Sequence, residues 1–212
     1  MENFERPQIF ISRCIEHQAC RWNAMMIGCP FVRALKPHVD FITLCPEADI
    51  GLGIPRDPIR VIREAGELRL YQPATGRDLT ETMKAYCEDR IPHLAGLDGF
   101  ILKEKSPSCG NREVKVYAGK GKDARVEGKD AGFFGAAVTQ YYPEVPVENE
   151  GRLQNFTLRE QFYTAVFTRA DFRRVKQEGS MRALVDFQAR NKLLFMAHNQ
   201  AAMREMGRLT AN

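Results

Sequence analysis

Three short apolar runs in this chain of 212 residues each lead into a cysteine. Gln8-Ile9-Phe10-Ile11-Ser12-Arg13 precedes Cys14, and Asp40-Phe41-Ile42-Thr43-Leu44 precedes Cys45. Gly99-Phe100-Ile101-Leu102-Lys103-Glu104-Lys105 precedes Ser106-Pro107-Ser108-Cys109. Runs of this length, separated by helical stretches, predict the strands of an α/β fold with an open, mostly parallel, Rossmann-like sheet and flanking helices. In such sheets ligands collect beyond the carboxyl ends of the strands. Thiols delivered there from three distant segments can form a metal or cluster site. Taken by spacing alone, they can equally be three buried cysteines acting as small apolar residues.

The remaining elements follow from pattern and punctuation. A helix is expected around 30–38, and strands over 8–14, 39–45 and 98–104. Gly51 to Pro58 is too dense in Gly and Pro to be helix or strand interior. Residues 59–63 and 68–71 flank Gly66 as a short hairpin. Asp78 with Glu81 reads as the start of a helix ending near Leu94, before Gly96. A short strand is expected over 113–117, a mobile Gly- and Lys-rich loop over 119–129, a helix over 131–141 and a last strand at Val145-Pro146-Val147. Beyond that the pattern turns helical, with Thr157 and Glu160 as a capping box and a second helical stretch from Ser180 to the end. A boundary near 152–156 therefore divides a domain over 1–153 from a helical segment over 154–212.

Charge is unevenly spread. Residues 156–212 carry ten Lys or Arg against five Asp or Glu, whereas residues 1–155 are close to balanced. A basic tail permits nucleic-acid contact, and an ordinary solvated helical surface has the same charge. No apolar run has transmembrane length and the first residues lack a signal-peptide core, so a cytoplasmic, membrane-free protein is expected. There six cysteines read as thiols or metal ligands rather than disulfides.

No C-x-x-C pair occurs, which argues against a zinc ribbon. Cys87 falls inside the expected helix 78–94 and reads as a core residue. Cys20 and Cys29 fit either a structural role or a place behind the ligands. A cluster held by three thiolates leaves one iron open as a Lewis acid. Glu47, two residues after Cys45, then lies within reach of whatever binds there. Ser106 and Ser108 put hydroxyls beside Cys109, where capping of the Pro107 turn is the alternative. Lys103 and Lys105 fit a phosphate contact or a solvated strand end.

Taken together, Ile11-Ser12-Arg13-Cys14, Arg21-Trp22-Asn23, Leu44-Cys45-Pro46-Glu47, Gly51-Leu52-Gly53-Ile54-Pro55-Arg56 and the Lys103–Gly110 stretch resemble the TudS family of thiouracil desulfurases over about residues 7–150. Gly151-Arg152-Leu153, Leu158-Arg159-Glu160 and Asn191 to His198 resemble a YbgA-type domain, here shortened. Joined, the two are similar to the RudS desulfidases, which act on 4-thiouridine in tRNA.

The resemblance implies a [4Fe–4S] cluster on Cys14, Cys45 and Cys109, with Glu47 and Ser106 as the catalytic pair. It implies Ser108, Trp22, Asn23 and Lys103 as substrate-binding residues. Trp22, Asn23 and Ala24 depart from the family's Arg-Tyr-Asp-Gly, which bears on substrate identity and not on the cluster. The implied reaction is a non-redox desulfuration of a thiolated pyrimidine: thiouracil, 4-thiouridine, or 4-thiouridine in tRNA. A cluster-containing RNA-binding or sensor protein without turnover is the alternative from another class.

Overall fold

The computed structural model describes residues 5–121 and 123–211. In chain order the elements begin with β1 (Gln8–Ser12), α1 (Pro30–Leu35) running into a 3-10 turn, β2 (Asp40–Leu44) and an irregular turn at Ala48–Leu52. There follow β3 (Arg60–Glu64), β4 (Glu67–Gln72), β5 (Arg77–Asp78) and α2 (Thr80–Arg90), which is extended by a 3-10 turn at Ile91–Leu94. Then come β6 (Gly99–Leu102), β7 (Val114–Tyr117), β8 (Val126–Asp130), α3 (Phe133–Tyr141) and β9 (Val147–Asn149). Helices α4 (Phe156–Glu178), α5 (Met181–His198) and α6 (Gln200–Ala211) close the chain. Two compact units result, one spanning Pro7–Val166 and the other running from Phe167 together with Glu5 and Arg6, so the division falls inside α4.

The first unit holds a four-stranded sheet in the order β2-β1-β6-β9, with every pairing parallel. Its central strands are uniformly apolar because both faces are covered: Ile9, Phe10, Ile11, Phe100, Ile101 and Leu102 are fully buried. The expected hairpin and short strand assemble into a second, five-stranded sheet in the order β5-β4-β3-β7-β8. Ala65 and Gly66 both take positive φ at the β3–β4 turn, the geometry a two-residue hairpin loop requires. Both sheets feed one core, in which Phe10 packs on Phe100 and Phe134 with ring centroids 5.6 and 5.5 Å apart. Met83 and Cys87 of α2 enter the same cluster, so Cys87 is a core residue. The first turns of α4 lie so close over β6 that a Cβ on Gly99 would come within 2.6 Å of Val166 Cγ1.

Several expectations are corrected. The pattern over 119–129 predicts loop, yet Val126–Asp130 forms β8 against β7. All five β8 residues are exposed, so no apolar alternation marks the strand. Helix α4 starts at Phe156, one residue before Thr157, and the cap is Asn155, whose Oδ1 accepts the Leu158 N–H at 3.1 Å. The second helical stretch is two helices. Asn199 breaks it with extended backbone and accepts the Ala202 N–H at 2.9 Å, starting α6. Asp78 Oδ1 accepts the Thr80 N–H at 2.9 Å, but the N-cap of α2 is Leu79, one residue later than expected and without a side-chain bond; Ser180 caps α5. Within the second unit Phe187 packs against Phe172 and Phe195, over a small cluster with Val175 and Ala183. No helix among the described residues is long and apolar enough to cross a membrane.

The loop after β1 is pinned by Glu16, a buried carboxylate on left-handed backbone at φ 59°. It accepts the Cys29 N–H at 2.5 Å and two Arg33 donors at 2.8 and 3.2 Å, tying the loop to α1. The Arg33 guanidinium and the Cys29 N–H together hold its carboxyl below the usual carboxylate range. Glu16→Gln should lower the unfolding free energy of the metal-free protein at neutral pH by about 1.5–3 kcal/mol, the worth of a charged hydrogen bond, as measured by denaturant titration.

Candidate active site

Parallel register sets the site. Ser12 of β1 is paired with Leu44 of β2, and Ile11 with Ile101 of β6, so all three chains leave the sheet at one edge. The exits are laced together: the Arg13 N–H donates to Leu44 O at 3.0 Å and the Lys103 N–H to Ser12 Oγ at 2.9 Å. Past β1 the chain loops out and returns, with the Ile27 N–H on Cys14 O at 2.8 Å, and within this loop Cys20 O accepts the Cys45 thiol at 3.7 Å.

The loop carrying Ser106, Ser108 and Cys109 is clamped by α3. Its carbonyls accept the N–H groups at the start of that helix, Gly132 to Gly110 O at 2.6 Å, Gly135 to Ser108 O at 3.0 Å and Phe133 to Pro107 O at 3.2 Å. A helix start has N–H groups without intrahelical partners, and here the loop supplies them. The approach demands glycine. A Cβ on Gly135 would run into Gly110 O and come within 2.6 Å of Cys109 O, and one on Gly132 would lie 2.6 Å from both Ser106 O and Ser108 O.

A cavity of about 480 Å³ opens over this edge, lined by Cys14, Cys20, Cys45 and Cys109 together with Glu47, Ser106 and Ser108. Glu47 Oε1 accepts Ser108 Oγ at 2.6 Å and Ser106 Oγ at 3.3 Å, and the two hydroxyls stand 3.1 Å apart. Ser106 Oγ also accepts the Cys109 N–H at 3.1 Å, which answers the turn-capping alternative: this hydroxyl caps the loop and faces the carboxylate. The other oxygen of Glu47 is held by Arg56, from Nη2 at 2.8 Å and Nε at 3.0 Å. Trp22 lines the cavity and is half-exposed. Lys103 lines it too, but its ammonium is paired with Glu150 and bonded to Glu104 O at 2.9 Å. Asn23 is not part of the lining; its side chain accepts the Met25 N–H at 3.3 Å.

All six cysteines are free and buried. Burial pushes the Cys109 thiol up to about 12, against the pull of the Ser12 and Ser108 hydroxyls beside it. The hydrogen bond with Cys14, reinforced by burial, raises Cys20 to about 11, and its contact with Cys20 raises Cys45 further still. Such thiols keep their protons until a strongly bound cation displaces them. Among the described residues no group of His, Cys, Asp and Glu side chains is spaced to hold a single metal ion. The soft sulfur donors instead ring a cavity, a donor set whose chemistry fits an iron–sulfur cluster.

An open parallel sheet with thiols, a carboxylate and hydroxyls gathered beyond its carboxyl edge defines an α/β protein with a Rossmann-like ligand site. The chain belongs to the 2-thiouracil desulfurase family, whose model matches residues 9–150. It is 31% identical over 152 residues to the uncharacterized protein YbbK of Bacillus subtilis, a match covering 67% of this chain and 96% of YbbK. The solved structure of the [4Fe-4S]-dependent thiouracil desulfidase TudS superimposes with a TM-score of 0.56 at 24% identity, over 74% of this chain and 99% of that one, a likeness of fold.

Of the residues singled out from the sequence, Cys14, Cys45, Cys109, Glu47, Ser106, Ser108, Trp22 and Lys103 line the cavity, and Asn23 does not. Sequence reasoning assigns no role to Arg56 and leaves Cys20 open. The signal for Arg56 is its place at the end of the Gly- and Pro-rich stretch that follows Cys45. Gly135→Ala should force the Cys109 loop off α3, lowering both thermal stability and the iron bound after reconstitution. Gly121→Ala, where the nearest atom to a new Cβ is 4.0 Å away, should change neither.

Proposed function

We propose that this protein removes sulfur from a thiolated pyrimidine without net redox change, water replacing the thiocarbonyl sulfur by oxygen and the sulfur leaving as hydrogen sulfide. The observation that carries the reading is the Glu47–Ser106–Ser108 hydrogen-bonded set facing a thiol-lined cavity in a member of a desulfurase family. Cys14, Cys45 and Cys109 would hold a [4Fe–4S] cluster, the group on which the TudS desulfidase depends. When bound, the cluster supplies a Lewis-acidic iron with affinity for soft sulfur.

The remaining chemistry belongs to the chain. Glu47 Oε1 takes the proton of the attacking water and passes it toward the ring nitrogen or the departing sulfur. Ser106 and Ser108 hold water or substrate in line with that oxygen. Trp22 offers an aromatic face to the pyrimidine at the cavity mouth. The half-buried Lys103 acts through its pairing with Glu150, shaping the wall.

Anaerobic reconstitution with iron and sulfide should give one [4Fe–4S] cluster per chain, read by iron and sulfide analysis and by the visible absorbance band. Cys14→Ser, Cys45→Ser and Cys109→Ser should each lose it, and Cys87→Ser should keep it. Full loading of Cys45→Ser would exclude that ligand set. Glu47→Gln should keep the cluster and release sulfide from 4-thiouracil on the order of 10² to 10⁴ times more slowly. Loaded wild-type protein that releases no sulfide from any thiolated pyrimidine would instead favour the sensor reading.

For substrate class we propose 4-thiouridine, alone or within tRNA, acting in the cytoplasm, with the C-terminal helices as part of a YbgA-type domain. Support comes from the tail's excess of Lys and Arg and from Arg21, Arg60, Lys105 and Lys115 around the cavity. Binding of tRNA should weaken steeply as salt is raised, because each phosphate contact releases counterions. Equal turnover of free 4-thiouridine and thiolated tRNA, unchanged by salt and by Arg-to-Gln changes in the tail, would exclude tRNA as the preferred substrate.

A further inference from the structure

We infer that Arg56 is the positioning residue of this site, fixing Glu47 through one carboxylate oxygen and placing a permanent positive charge beside the sulfur of Cys45. The inference rests on the desulfidase reading and adds a residue to which that reading gives no part. A guanidinium has five N–H donors, and here each has an acceptor. Nε and Nη2 both donate to Glu47 Oε2, at 3.0 and 2.8 Å. Nη1 donates to Cys20 O and Gly53 O, both at 3.0 Å. The second donor of Nη2 faces Cys45 Sγ at 4.0 Å.

The side chain is 3% exposed, so this charge is held inside the protein by its partners rather than by water. Its own backbone N–H is tied to Trp22 O at 2.8 Å, which links it to the cavity mouth. Two donors on Oε2 fill that oxygen and prevent the carboxylate from turning. Oε1 is thereby left for Ser106 and Ser108, the side on which a reacting water is held. Lysine, a point charge without the planar fork, cannot reproduce five directed bonds. The same guanidinium meets the carboxylate that moves protons and the thiol that would hold the cluster, so it couples their positions.

The test uses the reconstituted full chain and three variants, Arg56→Ala, Arg56→Gln and Arg56→Lys, each checked for iron and sulfide content. Loaded Arg56→Ala should lose about 10²-fold in kcat on 4-thiouracil with KM little changed, the cost of a misplaced base rather than of lost substrate binding. Added guanidinium ion should restore part of that loss. The cluster's reduction potential should fall in Arg56→Ala and Arg56→Gln, where a positive charge near a ligand sulfur is removed. Arg56→Lys should hold the potential near wild type while kcat stays low, separating charge from geometry. Wild-type kcat in any loaded variant, a loss confined to KM, or an unmoved potential in Arg56→Gln would overturn the inference. If wild-type protein loads a cluster but releases no sulfide, the functional reading fails, and the potential measurement still decides whether Arg56 acts on Cys45.

Discussion

Parallel pairing of β1 with β2 on one side and β6 on the other is the constraint on which the site depends. Neighbouring strands lie about 4.8 Å apart, so chains leaving three adjacent strands at one edge must come within reach of a single ligand. The register fixes which residues those are: Ser12 stands level with Leu44, and Ile11 with Ile101. A slip of one residue in β1 would turn Phe10 out of the core and Cys14 away from the edge, so the hydrophobic pattern that stabilises the sheet also aims the thiol.

Beyond the sheet, the site is held by backbone rather than by long side chains. The loop from Ser106 to Gly110 satisfies the first N–H groups of α3, and α3 is itself anchored by Phe134 in the aromatic cluster with Phe10. Cys109 and the two serines therefore sit on a segment whose displacement would cost hydrogen bonds and core packing together. The Glu47 side is built differently. It depends on one buried guanidinium that gathers a carboxylate, two carbonyls and a sulfur. Glycines at Gly132 and Gly135 permit the first arrangement, and the planar fork of Arg56 permits the second.

How much of this was legible in the sequence follows from how local each signal is. The central strands β1 and β6 could be read because burial on both faces writes a continuous apolar run, while the edge strand β2 has no fully buried residue and β9 lies at Val147–Asn149 rather than at 145–147. Strand β8 could not, because it is an exposed edge whose pairing is set by β7 and leaves no trace in its own residues. The break at Asn199 was hidden inside an unbroken helical pattern, since one capping carboxamide is enough to end one helix and start another. Motif order pointed to Glu47 and Ser106, but Arg56 lies on a loop whose return toward Cys45 and Trp22 is a tertiary fact. Lys103 shows the reverse limit: its place at a strand end was readable, its capture by Glu150 was not, because that partner lies 47 residues away.

The cavity also brings two kinds of donor side by side. Soft sulfur donors form one group, while the hard oxygen acceptors Glu47, Ser106 and Ser108 are bound to one another and, through Glu47, to Arg56. A thiocarbonyl group has the same division, with a soft sulfur on a carbon that must accept a hard oxygen nucleophile. Lys103 also lines the cavity, but its ammonium is taken up by Glu150. In the proposed desulfidase reading the Lys103–Glu150 pair shapes the wall, while Arg56 directs all five donors at fixed acceptors. With the Lys103 and Arg56 cations held by acceptors of the protein, the proposed proton chemistry falls to Glu47 Oε1, which faces the Ser106 and Ser108 hydroxyls.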